Sequence, residues 1–139
     1  MTRRFLILAI IILMISGLQA QKGKLSFSTV TSELNSSKKT SLYIKNYWSK
    51  VLGEEVVWAG KVKDVKGGRG KAQILVANKN AKTYKGFNIV LTTFDEEAAA
   101  MLEIGQHIKF KGELRNYKSK KGGGVVIYLT EVELVKTKK

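Results

Sequence analysis

Two short stretches hold residues whose types and spacing suit anion chemistry. KVKDVKGGRGKAQI, residues 61–74, sets Lys66, Arg69 and Lys71 among Gly67, Gly68 and Gly70. RNYKSKKGGGVVIY, residues 115–128, sets Lys118, Lys120 and Lys121 before Gly122, Gly123 and Gly124. Ammonium and guanidinium groups beside bare glycine backbone, whose N–H groups can approach closely, suit contact with phosphate and similar oxyanions. Such contacts position a polymer without reading its sequence. The same residue types also serve any solvated hairpin tip, where lysine discourages edge-to-edge pairing. The setting of the two stretches repeats as well. Gly60, Val62, Val65 and Lys66 return 52 residues later as Gly112, Leu114, Tyr117 and Lys118, so each stretch reads as a bent strand entering a basic hairpin.

Little else in the chain points to catalysis. His107 is the only histidine and reads as a structural or solvent-facing residue rather than a base or ligand. Ser26, Ser28, Ser32, Ser36, Ser37 and Ser41 cluster with no partner base. There is no cysteine, which removes disulfides, thiol catalysis and thiolate metal sites together. Asp64 is the nearest acid to the first loop, and the others gather elsewhere: Asp95, Glu96, Glu97 and Glu103 in one segment, Glu131 and Glu133 near the end. A metal-assisted phosphodiesterase needs several oxygen ligands converging. The sequence therefore reads as non-catalytic, without metal or cofactor, and its charges as a polarised field.

The formal charge is +14, and lysine supplies 21 of the 25 cations. An excess of this size favours polyanionic partners, namely single-stranded nucleic acid or an anionic envelope polymer. Lysine is a hydrated point charge rather than a planar fork, so the attraction should be diffuse and salt-dependent. MTRR followed by the apolar run FLILAIIILMI at 5–15 reads as a secretory signal peptide, cut after Ala20. An uncleaved anchor is the competing reading, but this run of 11 is shorter than the roughly 18 apolar residues a spanning helix needs. Removing residues 1–20 lowers the charge by the two of Arg3 and Arg4 and leaves a periplasmic or secreted protein without a stable membrane span.

The elements that must position these loops follow from periodicity. TSLYIKNYWSKVLG, from Thr40, spaces Ile44, Tyr47, Trp48, Val51 and Leu52 as an amphipathic helix ended by Gly53. QKGKLSFSTV, residues 21–30, reads as a polar lead-in. EEVVWAGKVKDV alternates at a period of two, with Gly60 marking a bulge or bend. KAQILVANK and GFNIVLTTF supply two more strands. DEEAAAMLE supplies a short helix capped by Asp95, and QHIKFKGELRNY and VVIYLTEVELV complete five strands.

This order, together with VVWAGKVKDV at 56–65, GFNIVL at 86–91, LEIGQHIKFKGEL at 102–114 and VVIYLTEVEL at 125–134, resembles the tRNA-anticodon-binding-like OB-fold proteins of bacterial envelopes. The resemblance implies a mainly β protein: a five-stranded barrel at 54–136 with a short helix between strands three and four. An N-terminal helical extension at 21–53 and a basic tail at 137–139 complete it. It also implies that the two basic loops stand at one end of the barrel, flanking the face of strands two and three where oligomers lie. Lys66, Arg69, Lys71, Lys118, Lys120 and Lys121 are then expected to converge on one mouth. Gln73, Leu75, Asn88, Val90 and Thr92 are expected on the outer face of strands two and three, which holds no aromatic. Tyr84, Tyr117 and Tyr128 remain as stacking candidates, each reading equally well as edge packing. Weak, backbone-directed binding is the expectation. An envelope module for anionic lipid, polysaccharide or a protein partner is the alternative. Secreted OB-fold nucleases of the staphylococcal type use clustered carboxylates for calcium and two arginines on phosphate, and the carboxylate cluster has no counterpart here.

Overall fold

A computed structural model describes residues 25–135; the signal-peptide reading and the 137–139 tail lie outside them. Five strands carry the alternation seen in the sequence: β1 (Glu55–Gly68), β2 (Lys71–Ala77), β3 (Ile89–Thr93), β4 (His107–Ser119) and β5 (Val125–Val135). They pair in the order β1-β2-β3-β5-β4 and close into a barrel, because β1 also pairs with β4. Only β3 and β5 run parallel among these neighbours. This is the five-stranded OB-fold barrel. Alternate residues fill it, among them Trp58, Ile74, Ile89, Phe110, Ile127 and Leu129.

The bends have steric causes. At Gly60 and Lys61 strand β1 parts from β4 and takes up β2: Gly60 lies opposite Ile108, and Lys61 opposite both His107 and Ala77. A Cβ on Gly60 would run into the Val76 side chain and stand 2.9 Å from the Ala77 carbonyl oxygen. Only glycine fits so close a crossing without movement. Of the bulge or bend expected at Gly60, the bend is there and the register shift falls between Val62 and Asp64. Gly112 is the counterpart in β4, where a Cβ would sit 3.2 Å from Leu129 Cβ and Val132 Cγ2. The β1/β4 register, Val56 opposite Gly112, Trp58 opposite Phe110 and Gly60 opposite Ile108, maps onto itself under the 52-residue echo. Trp58 and Phe110 mark its centre.

Two helices precede the barrel. Helix α1 (Phe27–Glu33) falls partly within the stretch expected as a polar lead-in. Its N-cap is Ser26, whose Oγ accepts from the Thr29 N–H at 3.1 Å. Phe27 meets the Trp58 ring edge-on, with centroids 5.2 Å apart, and Trp58 Nε1 donates to the Leu25 carbonyl at 2.8 Å. Val30 and Leu34 are fully buried, so burial rather than helix propensity holds this hydroxyl-rich segment. Helix α2 (Ser41–Val51) is capped by Thr40 and buries Ile44 and Val51 of its apolar stripe, whereas Leu52, at the C-cap, is exposed. After α2, the Gly53 N–H donates to the Leu114 carbonyl and the Leu114 N–H to the Glu54 carbonyl, which ties the chain to β4. Helix α3 (Glu96–Ala100), capped by Asp95, connects β3 to β4. Among the described residues no helix is long and apolar enough to cross a membrane.

Candidate polyanion interface

The strand register answers whether the two basic tips meet. Gly68 pairs with Lys71 at the first tip, and Ala72 with Thr93, so residues 68–71 stand beyond the C-terminal end of β3, with Lys66 level with Thr92. Ser119 pairs with Val125 at the second tip, and Ile127 with Ile89, so residues 118–124 stand beyond its N-terminal end. The tips therefore bracket the β2–β3 face from its two ends and do not form one mouth. The cause lies in the β1/β4 pairing: two equivalent bent strands meeting antiparallel at Trp58 and Phe110 carry their hairpins in opposite directions. Of the six proposed cations, Lys66, Arg69 and Lys71 fall in one group and Lys118, Lys120 and Lys121 in the other.

Their surroundings differ. Beside the first tip lies a cleft of about 410 Å³ whose lining includes Gly67 and Ala72 but also the carboxylates of Asp64 and Glu96. Lys66, Arg69 and Lys71 are exposed, and the cleft beside their tip carries acidic rather than basic side chains, which lowers the potential it offers an anion.

The second tip gains cations from a segment outside both hairpins. Residues 78–88 join β2 to β3 and are folded around Asn88, which is fully buried rather than displayed on the outer face. Its Oδ1 accepts from the Asn78 N–H at 2.8 Å, while its Nδ2 donates to the carbonyls of Asn78 at 2.8 Å and Ala81 at 3.2 Å. The segment so held brings Tyr84 under Lys120, whose Nζ lies 4.4 Å from the ring centroid, with Lys85 Nζ at 5.6 Å. Lys82 reaches over the tip itself, where a Cβ on Gly122 would sit 2.7 Å from its Nζ. Behind the tip, a Cβ on Gly123 would run into Asn35 Oδ1 and stand 2.8 Å from Ser37 Oγ, so the turn between α1 and α2 backs it directly. The adjoining cleft, about 360 Å³, is lined by hydroxyls of α1 and the amides of Asn35 and Asn80 together with Lys82 and Gly122–Gly124, and by no carboxylate.

The three tyrosines separate by role. Tyr84 is 39% exposed between its two lysines. Tyr128 is half-buried on the outer surface, in the cross-strand row Leu75, Val90, Tyr128, with Lys118 Nζ 5.3 Å from its centroid. Val90 and Val126 are buried on this outer side although neither belongs to the core cluster, so the face beside Tyr128 is more apolar than its exposed Gln73 suggests. Tyr117, by contrast, is packed against Trp48 of α2 with ring centroids 4.8 Å apart. Lys82 and Lys85 were missed as site residues in the sequence, although lysines at every third position, 79, 82 and 85, were visible in ANKNAKTYKG.

The resolved pKa shifts lie away from this patch. Donation to Glu33 raises the Tyr43 phenol above its usual value, burial raises that of Tyr47, and the Glu133 carboxylate, 3.1 Å away, raises Lys111. Among the described residues no group of three or more histidine, aspartate or glutamate side chains is placed to hold a metal ion.

No protein-family model matches the chain, and no curated protein sequence does. Several solved structures share part of this chain path. One, from Klebsiella pneumoniae subsp. pneumoniae, is described as a nucleic acid-binding lipoprotein. It is 17% identical, with 66% of this chain and 77% of that one aligned at a TM-score of 0.48. The S. pombe Stn1-Ten1 complex is 11% identical over 60% of this chain and 59% of the other, at a TM-score of 0.40. Schizosaccharomyces pombe Pot1pC, solved bound to single-stranded DNA, is 11% identical over 63% of this chain and 83% of the other, at 0.38.

Proposed function

We propose that the chain is a non-catalytic OB-fold binding module for polyanions, single-stranded nucleic acid foremost, working in the periplasm or outside the cell after removal of residues 1–20. The reading rests on one observation: the 118–124 tip and the 78–88 segment bring Lys85 and Lys120 against the exposed Tyr84 and Lys82 over Gly122, with Lys118 beside Tyr128. Cations that track a backbone, next to rings that accept a base of any identity, are the two parts a sequence-tolerant strand binder needs. Lys66, Arg69 and Lys71 are assigned a secondary role at the far end of the β2–β3 face, where a strand crossing that face would leave it.

The test is fluorescence anisotropy of a labelled oligo-dT across a salt series. Each single-strand phosphate neutralised contributes about −0.7 to the slope of log affinity on log salt. The variant K82E/K118E/K120E/K121E should lose about 3 from the magnitude of that slope, whereas K66E/R69E/K71E should lose less than about 1. Equal losses would return the site to both tips, and an unchanged slope in the first variant would overturn the proposal. Polyphosphate, which has charge and no bases, should compete poorly per phosphate; equal competition would favour an anionic envelope polymer.

A further inference from the structure

We propose a second anion site, for a phosphate group carried on a small molecule or a strand end, in the groove between the bend of β1 and residues 77–86. The groove holds about 640 Å³ and shares only Asn80 with the cleft at the second tip. Three lysines line it, Lys61, Lys63 and Lys79, with His107, Thr83 and Asn80 as further polar groups and no carboxylate.

Its shape follows from the strand geometry. Lys61 stands where β1 exchanges β4 for β2, and the bulge between Val62 and Asp64 sets Lys63 outside the regular pairing. Their stems run beside glycines. Lys63 Cε would lie 3.5 Å from a Cβ on Gly86, and Lys61 Cε 3.7 Å from one on Gly105. Both glycines have left-handed φ, +90° and +92°, a conformation that also keeps larger residues out of the stems' path. The walls are tied together. Asn78 Nδ2 donates to the Ala59 carbonyl at 2.8 Å, and the Asn78 N–H donates to the buried Asn88 at 2.8 Å. The segment is thereby held against β1 instead of closing over it.

Three lysines lining one concavity, with no carboxylate in its lining, repel one another across it. A phosphate monoester relieves that repulsion, since it brings up to two negative charges and three acceptor oxygens. The groove exceeds a bare phosphate, so it has room for the group that carries one.

The probe is inorganic pyrophosphate, followed by backbone amide shifts of the mature chain. Ala59, Ala77, Asn78, Lys79 and Gly86 should move, beyond any change produced by sodium chloride at equal ionic strength. In K63E/K79E the pyrophosphate affinity should fall at least about tenfold, since a charge-assisted contact is worth about a factor of ten. Shifts of Gly122–Gly124 caused by oligo-dT should persist in that variant. Lys63 and Lys79 are exposed, so the fold should survive, and K63A/K79A should show a smaller loss in the same direction. Oligonucleotides with and without a 5′-phosphate then separate the two sources. A response to the phosphorylated strand alone names a strand end, and a response to neither, with pyrophosphate still bound, names a small phosphorylated molecule. Groove shifts no larger than those from chloride, or undiminished affinity in the double variant, would overturn the site. Either result leaves the oligo-dT reading of the second tip standing or falling by its own test.

Discussion

The hairpin tips at 66–71 and 118–124 are close to interchangeable as sequence, and the fold makes them unlike. The first stands beside α3 and shares its cleft with Asp64 and Glu96. The second is backed by Asn35 and Ser37, overhung by Lys82 and set beside Tyr84. Local composition therefore sets what a loop can contact, and its neighbours decide how strongly. A cation beside a carboxylate is partly neutralised before a ligand arrives, whereas grouped cations and a ring add to each other.

The comparison can be broken at its origin, the two glycines that bend the strands. Gly60→Ala should cost about 3 kcal/mol, because the new methyl would come within 2.9 Å of backbone, and Gly112→Ala about 1 kcal/mol, because there the nearest atoms stand 3.2 Å away. Urea denaturation midpoints measure both. Equal costs would mean that the two bends are equally tight, against the approach distances. The tips themselves should differ next. Gly70 and Gly123 share left-handed φ, +79° and +84°, but only Gly123 has neighbours in the way. Gly70→Ala should cost about 1 kcal/mol for backbone strain alone, and Gly123→Ala about 2 kcal/mol once Asn35 and Ser37 must shift. The tyrosines sharpen the contrast on the binding side. Tyr84→Ala should weaken oligo-dT binding by about 1 kcal/mol, the low end for a stacked base. Tyr117→Ala should leave that affinity unchanged and instead lower stability, because its ring serves Trp48.

The smallest effect concerns the helices that back the second tip. Tyr43 donates to Glu33 across the α1–α2 pair, and both Tyr43 and Tyr47 have pKa values raised above the ordinary 10.0. Their folded forms hold the phenolic proton to higher pH than the unfolded chain does. The contribution is thus complete below pH 10 and fades as pH rises through the folded values. Thermal melts between pH 9 and 11.5 should fall more steeply for the parent than for Tyr43→Phe. Matching slopes would show that this contact does not help to brace the tip.

Much of the barrel was legible in the chain because its strands alternate cleanly and α3 begins with an acid-rich, Asp95-capped turn. Helix α1 was not, since FSTVTSE is rich in β-branched and hydroxyl residues, which favour other conformations when isolated. It forms because Phe27 meets Trp58 and because Val30 and Leu34 are buried, none of which a local window contains. The composition of the basic tips is plain in the sequence, but their placement is not. The 52-residue echo says that two arms are alike, and it does not say that they meet antiparallel. Asn88 was misplaced for a related reason: alternation assigns it to the outside, but its amide satisfies the 78–88 backbone and turns inward to do so. For Tyr117 the sequence leaves stacking and packing equally open, and Trp48, some seventy residues earlier in the chain, decides for packing.

The closure of β1 on β4 also bears on how the chain reaches its native state. Each hairpin joins near neighbours, but Trp58 and Phe110 are brought together from distant parts of the sequence, and such non-local encounters slow refolding to milliseconds or longer. The chain has no proline and no cysteine, so neither prolyl isomerisation nor disulfide exchange adds a slower phase. Stopped-flow refolding should then run as a single exponential whose rate is set by the meeting of two ready-made arms.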